Sequence, residues 1–208
     1  MNNTGSIVTL ISQNSQTKAA GNSSSTNPKV SSYGRFVVFD SSASNLTSGD
    51  TNLKQDVFLK DNVTNTMINI TSGGNDHSTI PSISSDGRYV AFQSTASNLV
   101  ASDTNSQRDI FVYDSQTQQI TNISSGMNAT SDTPFISSNG AYITFLSVGD
   151  NLVSGDSNGH IDVFRYDRTN AVLENITKNA NAQSKFSTLS SDGNFIAFAS
   201  QATNLVSG

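Results

Sequence analysis

Residues 84–114, SSDGRYVAFQSTASNLVASDTNSQRDIFVYD, decide the fold, because the chain writes them more than once. SSYGRFVVFDSSASNLTSGDTNLKQDVFLKD stands at 31–61, SSNGAYITFLSVGDNLVSGDSNGHIDVFRYD at 137–167, and SSDGNFIAFASQATNLVSG at 190–208. Phe39, Phe92, Phe145 and Phe198 lie 53 residues apart. So do Gly34, Gly87, Gly140 and Gly193, and Asn45, Asn98, Asn151 and Asn204. The register never slips. A fixed period of this length marks a repeat architecture, in which each unit is too small to bury its own apolar face and stacks on its neighbours.

Each unit divides into four strand-like pieces. The first is short: PKVS from Pro28, PSIS from Pro81, PFIS from Pro134 and STLS from Ser187. Proline lacks the N–H a ladder needs, so the three prolines are expected at the first residue of each strand. The second strand follows an Asx-Gly turn, as in Asp86-Gly87, Asn139-Gly140 and Asp192-Gly193, a pairing that tolerates the positive φ of tight hairpins. Tyr33-Gly34 departs from it and predicts a turn of another type. The second strands are apolar on both faces, which marks a strand buried between two layers. The third strand is DVFLKD, DIFVYD or DVFRYD, with Phe58, Phe111 and Phe164 in register. The fourth, TMINIT, QITNIS or VLENIT, is the most polar and suits an outermost strand with one wet face.

Four antiparallel strands per unit, with the inner ones apolar on both faces, is the pattern of a β-propeller blade packed between two others. A parallel β-helix is the structural alternative, but its rungs are shorter and lack regular Asx-Gly hairpins. The expected fold is therefore all-β, one partial propeller over 1–208. Blade units fall at about 28–80, 81–133 and 134–186. Residues 1–27 carry the outer strand (SIVTLIS) and loop of a preceding blade, and 187–208 the first two strands of a further one. Because that split blade lacks its third strand, the chain reads as an interior piece of a larger propeller. The competing expectation is a half-propeller that closes against a second copy.

The turn Ser84-Ser85-Asp86-Gly87-Arg88, the YVAF strand after it and the later DIFVYD strand resemble the TolB-like, WD40-like propeller repeat of bacterial proteins. The SNLV-x-GDTN-xxx-DVFVYD pattern resembles a subgroup found in many secreted proteins. The resemblance runs from about Ile7 to Gly208. It implies a module outside the cytoplasm, periplasmic or secreted, serving as a protein-binding surface, an accessory module, or a propeller joined to a hydrolase domain.

Composition narrows the chemistry. Only 13% of residues are charged, the formal net charge is −5, and there is no cysteine. Acidic character repels a phosphate backbone, so nucleic acid is not expected as a partner. Disulfides, thiolate catalysis and cysteine zinc sites are excluded. No apolar run approaches the ~20 residues of a membrane helix, and the N-terminus lacks the pattern of a signal peptide. No G-x-S-x-G, Walker loop or H-E-x-x-H occurs. His77 beside Asp76 and His160 occupy non-equivalent repeat positions and read as exposed loop residues. The sequons Asn69-Ile-Thr and Asn122-Ile-Ser read as by-products of Asn- and Thr-rich strands.

One repeated loop offers chemistry. Between strands two and three stand Asp50, Asn52 and Asp56; Asp103, Asn105 and Asp109; and Asp156, Asn158 and Asp162, each in an Asp-x-Asn-x-x-x-Asp frame. Oxygens at positions 1, 3 and 7 of a tight loop can converge on a cation, and calcium is the ion that prefers such ligands. The structural alternative has Asp and Asn closing Asx-turns, with the last Asp tying the loop to strand three. The expectation is a non-enzymatic module that binds protein or glycan, calcium-stabilised at these nine residues. The alternative is a non-catalytic propeller of a larger secreted hydrolase.

Overall fold

The structure, a computed structural model, describes residues 8–101 and 103–206. Three sheets of four antiparallel strands follow one another. The first holds β1 (Ser25–Val30), β2 (Phe36–Ser41), β3 (Asp56–Asp61) and β4 (Thr66–Asn69) in that spatial order. The second holds β5 (Ser78–Ile83), β6 (Tyr89–Ser94), β7 (Asp109–Asp114) and β8 (Gln119–Asn122). The third holds β9 (Ser131–Ile136), β10 (Tyr142–Ser147), β11 (Asp162–Asp167) and β12 (Val172–Asn175). A two-stranded sheet of β13 (Ser184–Leu189) and β14 (Ile196–Ser200) completes the run. Among the described residues the only helical segment is a 3-10 turn at Ser32–Gly34, where Tyr33 takes φ 64° in place of the Asx of the other units. No helix among them is long and apolar enough to cross a membrane.

Strands two and three form the dry centre of each blade. Phe39 pairs directly with Phe58, Phe92 with Phe111 and Phe145 with Phe164, so their rings stack with centroids 5.6, 5.6 and 5.4 Å apart. Opposed aromatic pairs of this kind add to the burial of their area. The apolar clusters run between blades: Val38, Val57 and Leu59 of the first pack with Val90, Phe92 and Phe111 of the second. Ala91, Ile110 and Val112 of the second pack with Ile143, Phe145 and Phe164 of the third. Apolarity on both faces of strands two and three is thus explained, since each sheet is covered twice.

The glycine of each Asx-Gly turn is required by the same packing. Gly87, Gly140 and Gly193 have φ of +76°, +69° and +75°, and the aromatic ring opening the preceding blade's second strand lies against each one. A Cβ on Gly140 would come within 2.5 Å of Tyr89 Cδ2; on Gly87 and Gly193 it would sit closer still to Phe36 and Tyr142. Gly34 has the same conformation, φ +73°, but nothing within 4 Å of the added atom.

Two expectations need correction. The prolines do not open the first strands. Each strand begins three residues earlier, at Ser25, Ser78 or Ser131, so the blade boundaries move by the same amount. Pro28, Pro81 and Pro134 sit at a β-bulge, just after Asn27, Ile80 and Thr133 with φ of 50°, 51° and 51°. The bulge takes that stretch out of the ladder, so a residue without an N–H is tolerated mid-strand. The freed N–H groups are met from the preceding blade: Ile80 N donates to Asp40 Oδ2 at 2.9 Å and Thr133 N to Gln93 Oε1 at 2.9 Å. The second correction concerns SIVTLIS. Val8–Ile11 form no strand, although Ile11 packs against the cluster of Phe39, Ala43, Leu46 and Phe58, and the nearest pairing is an isolated bridge between Gln13 and Ala20. Ser6, Ile7 and Gly208 lie outside the described residues.

Candidate functional site

The nine residues of the Asp-x-Asn-x-x-x-Asp loops form three equivalent constellations, each leading into a third strand. The seventh-position aspartates open β3, β7 and β11 and are buried: Asp56 0%, Asp109 0% and Asp162 1% exposed. Each carboxylate is held by three side-chain donors. Asp56 accepts from Asn52 Nδ2 at 3.2 Å, Asn69 Nδ2 at 2.9 Å and Thr71 Oγ1 at 2.8 Å. Asp109 accepts from Asn105 Nδ2 at 3.2 Å, Asn122 Nδ2 at 2.8 Å and Ser124 Oγ at 2.7 Å. Asp162 accepts from Asn158 Nδ2 at 3.1 Å, Asn175 Nδ2 at 2.9 Å and Thr177 Oγ1 at 2.6 Å. Hydrogen bonds to a charged acceptor are the strong kind, and here they tie the loop, the third strand and the fourth strand to one atom pair.

The asparagine at position three turns its nitrogen toward this carboxylate and its oxygen away from it. Asn52 Oδ1 accepts from Lys54 N at 3.0 Å, Asn105 Oδ1 from Gln107 N at 2.9 Å and Asn158 Oδ1 from His160 N at 2.7 Å, which closes an Asx-turn. The same amide nitrogen reaches a carbonyl in the loop after the fourth strand: Gly74 O at 3.1 Å, Met127 O at 3.1 Å and Lys178 O at 3.0 Å. Each asparagine oxygen therefore already accepts one hydrogen bond within the loop. In this arrangement the third position presents an amide nitrogen to the seventh-position carboxylate, whereas calcium takes six to eight oxygens. Among the described residues no three His, Cys, Asp or Glu side chains gather as a metal cluster.

The first-position aspartates are different. Burial pushes the carboxyls of Asp50, Asp103 and Asp156 above the ordinary range, and the charges of Asp56, Asp109 and Asp162 push them further. Asp156 Oδ2 is relieved by Asn175 Nδ2 at 2.6 Å. Asp103 is relieved only by the backbone N–H of Asn105: it is 9% exposed, and its Oδ1 is buried without a hydrogen-bond partner.

Two of the three partners of each buried aspartate are residues that sequence reasoning missed. Asn69, Asn122 and Asn175, with Thr71, Ser124 and Thr177, are the Asn-x-Ser/Thr triplets of the fourth strand. The hydroxyl does double duty: Thr71 Oγ1 also accepts from Val57 N at 3.0 Å, Ser124 Oγ from Ile110 N at 2.9 Å and Thr177 Oγ1 from Val163 N at 3.0 Å. Their recurrence at the interval of the phenylalanines was the available signal. The loop asparagines Asn45, Asn98, Asn151 and Asn204 are structural as well. Asn98 accepts from Asn75 N at 2.8 Å and donates to Gly73 O at 2.7 Å, tying two loops together, and Asn204 does the same with Asn181 N at 2.9 Å and Asn179 O at 2.7 Å. His77 is a half-exposed loop residue whose Nδ1 accepts from Gln55 N at 3.0 Å.

A cavity of about 490 Å³ opens where the first strands end. The repeat sets Ser32, Ser85, Ser138 and Ser191 around it, together with Ile83 and Ile136. Backbone bonds link neighbouring blades there: Ser32 N to Ser85 O at 3.1 Å, Ser85 N to Ser138 O at 2.9 Å and Asn139 N to Ser191 O at 3.2 Å.

No family model matches the chain. No curated protein matches its sequence. Solved structures do match. TolB from Acinetobacter baumannii is similar at 24% identity and TM-score 0.55 over 87% of this chain and 39% of that one. The putative TolB from Agrobacterium tumefaciens is similar at 18% and 0.51, over 82% of this chain and 56% of that one. The oligogalacturonate lyase of Vibrio parahaemolyticus is similar at 14% and 0.53, over 91% and 52% respectively. The chain thus spans 39–56% of the length of these structures. At these identities the likeness speaks to architecture, and it agrees with the sheets described above: the chain is a run of four-stranded blades with the TolB-like β-propeller fold.

Proposed function

We propose that this chain is a non-enzymatic propeller module that binds a protein or a glycan at the mouth of the cavity between its first strands. The observation that carries the reading is the chemistry of that mouth. Equivalent serines from successive units alternate with short apolar steps, and Lys29 is the one ionisable residue of the lining. Such a surface suits a polar peptide loop or a sugar, which exchanges hydrogen bonds with the hydroxyls and buries its apolar face. The remaining blades of a larger propeller, or a second copy of the chain, are the partners proposed for the β13–β14 sheet, where Phe186 and Phe195 are 80% and 75% exposed. The reading places the chain outside the cytoplasm, periplasmic or secreted. In the alternative, the chain is a non-catalytic propeller of a larger secreted hydrolase; the flanking coding sequence separates the two.

The test is a peptide and glycan array probed with the chain and with Ser138→Tyr, which fills the mouth. Retained specific binding by the parent, lost on filling, is the expected result. A binding profile untouched by Ser138→Tyr would remove the mouth from the account. Cleavage of a bound peptide or glycan by the purified chain would overturn the non-enzymatic reading.

A second reading rests on one observation, the buried and partnerless Asp103 Oδ1 facing the charge of Asp109. A calcium ion taken by these two carboxylates and water would give that oxygen a partner. With so few protein oxygens the affinity would fall around 10⁻⁴–10⁻³ M, the range of extracellular modules. Melting temperature would rise with millimolar calcium and fall with chelator, and Asp103→Asn would abolish the response. A melt indifferent to both reagents would leave the loops with their structural role alone.

A further inference from the structure

Five arginines occur in the chain, and four of them have a carboxylate partner. Arg35 pairs with Asp61 at 3.0 Å, Arg88 with Asp114 at 2.8 Å, Arg165 with Glu174 at 2.6 Å, and Arg108 with Asp132. Arg168 has no carboxylate partner among the described residues. It is nevertheless fixed. Its Nε donates to Gly140 O at 2.7 Å, and its guanidinium lies over the Tyr89 ring, 3.7 Å from the centroid. A guanidinium clamped by its Nε and by an aromatic ring has its rotamer settled while its Nη donors stay unspent.

This arginine breaks the repeat. Its counterparts are Ser115 and Asn62, and one residue of the preceding pattern changes with it: Ala141 stands where the first two units have Arg35 and Arg88. Beside it, between the second and third blades, opens a cavity of about 260 Å³ lined by Tyr89, Tyr166, Gln119, Thr121, Asp114 and Arg168, among others. The one carboxylate there is already matched: Asp114 takes Arg88 Nε at 3.0 Å and Nη2 at 2.8 Å, and this pair holds its carboxyl below the ordinary range. The groove therefore offers one cation without a carboxylate partner, two tyrosines, an amide and two threonine hydroxyls, in a space the size of a single sugar ring or amino acid.

We propose that this groove is a binding site for a small carboxylate-bearing ligand, with Arg168 as its anchor. The carboxylate takes the two Nη groups of Arg168, a bidentate geometry that lysine cannot reproduce. The body of the ligand lies against Tyr166 and bonds to Gln119 and Thr121. The site shares no lining residue with the serine-lined mouth, so it stands or falls independently of the function proposed above.

The test is calorimetric titration of the purified chain with two acids and their neutral analogues: glucuronate against glucose, and N-acetylalanine against N-acetylalaninamide. Binding of at least one acid, about tenfold or more tighter than its analogue, is expected, since a hydrogen bond to a charged group carries that much. The acid preferred tells a saccharide source from a peptide one. Arg168→Ser, the residue of the preceding unit, and Thr117→Glu, which sets a negative charge at the exposed rim, should each weaken the acid by a similar factor. Thr117→Glu keeps the test open if Arg168→Ser misfolds. Failure of both acids to bind, equal binding of acid and analogue, or full binding by the variants would overturn the proposal.

Discussion

The four Gly residues that close the first hairpin of each unit share a φ between +69° and +76° and differ in what faces them, which makes them a built-in comparison. Gly34→Ala and Gly87→Ala both force alanine to a φ near +75°, at +73° and +76°. For an L-residue that conformation costs about 1–2 kcal/mol. At Gly34 nothing else is added, because no atom lies within 4 Å of the new Cβ. At Gly87 the Cβ strikes the ring of Phe36, and at Gly140 that of Tyr89. Those rings lie in the apolar clusters between blades, so they cannot swing into solvent without opening the seam. Overpacking of this kind costs about 1–3 kcal/mol more. With a urea m-value of about 2 kcal/mol/M, a difference of about 2 kcal/mol separates the unfolding midpoints of the two variants by about 1 M. Urea titration followed by far-UV circular dichroism measures it. Equal midpoints for Gly34→Ala and Gly87→Ala would refute the packing of each turn on the preceding blade.

Two further predictions address the loops and the bulges. The carboxyls of Asp50, Asp103 and Asp156 are pushed up in the folded state, by burial first and by a neighbouring aspartate second. The stability this contributes is present below the unfolded value, about 3.9, and is lost as pH rises through the raised one. Asp61 runs the other way: its hydrogen bond from Arg35 lowers it to about 2, so its contribution is lost as pH falls toward that value. Melting curves from pH 3 to 7 should therefore show Asp103→Asn gaining on the parent as pH rises above about 4; parallel curves would count against the pairing of Asp103 with Asp109. At the bulge, Thr133 is exposed and sits at φ 51°, where the first blade has Asn27 at 50°. Thr133→Asn should stabilise the chain by about 0.5–1 kcal/mol in the same urea assay, because asparagine tolerates that conformation and threonine does not. A loss of stability would show that the threonine side chain is needed there.

The blade plan was legible because it is written in apolar residues at a constant interval. Phe39, Phe92 and Phe145, and the alternation lost in strands two and three, announce a sheet covered on both faces. The prolines misled because a strand was assumed to be regular; the bulge at Asn27, Ile80 and Thr133 lets a proline stand inside it, and its N–H partners, Asp40 and Gln93, come from another blade. The loops were legible as recurring and only half legible in role. Asparagine offers both a donor and an acceptor, and its letter does not say that Asn105 faces Asp109 with nitrogen. The fourth-strand triplets carry no apolar signal, so Asn122 and Ser124 read as incidental although they complete the site. Arg168 was invisible for a different reason: its ring partner, Tyr89, lies in the preceding blade, 79 residues away in sequence.

The central claim is that the recurring aspartate is an internal hub which fastens loop and fourth strand to the third strand. A double-mutant cycle between Asp109 and Asn122, run in chelator, measures that directly. The account predicts a coupling of about 1–3 kcal/mol between Asp109→Asn and Asn122→Ala, the worth of one buried hydrogen bond to a carboxylate, whether or not calcium is present. Additive effects in chelator, or a coupling that appears only when calcium is added, would contradict it.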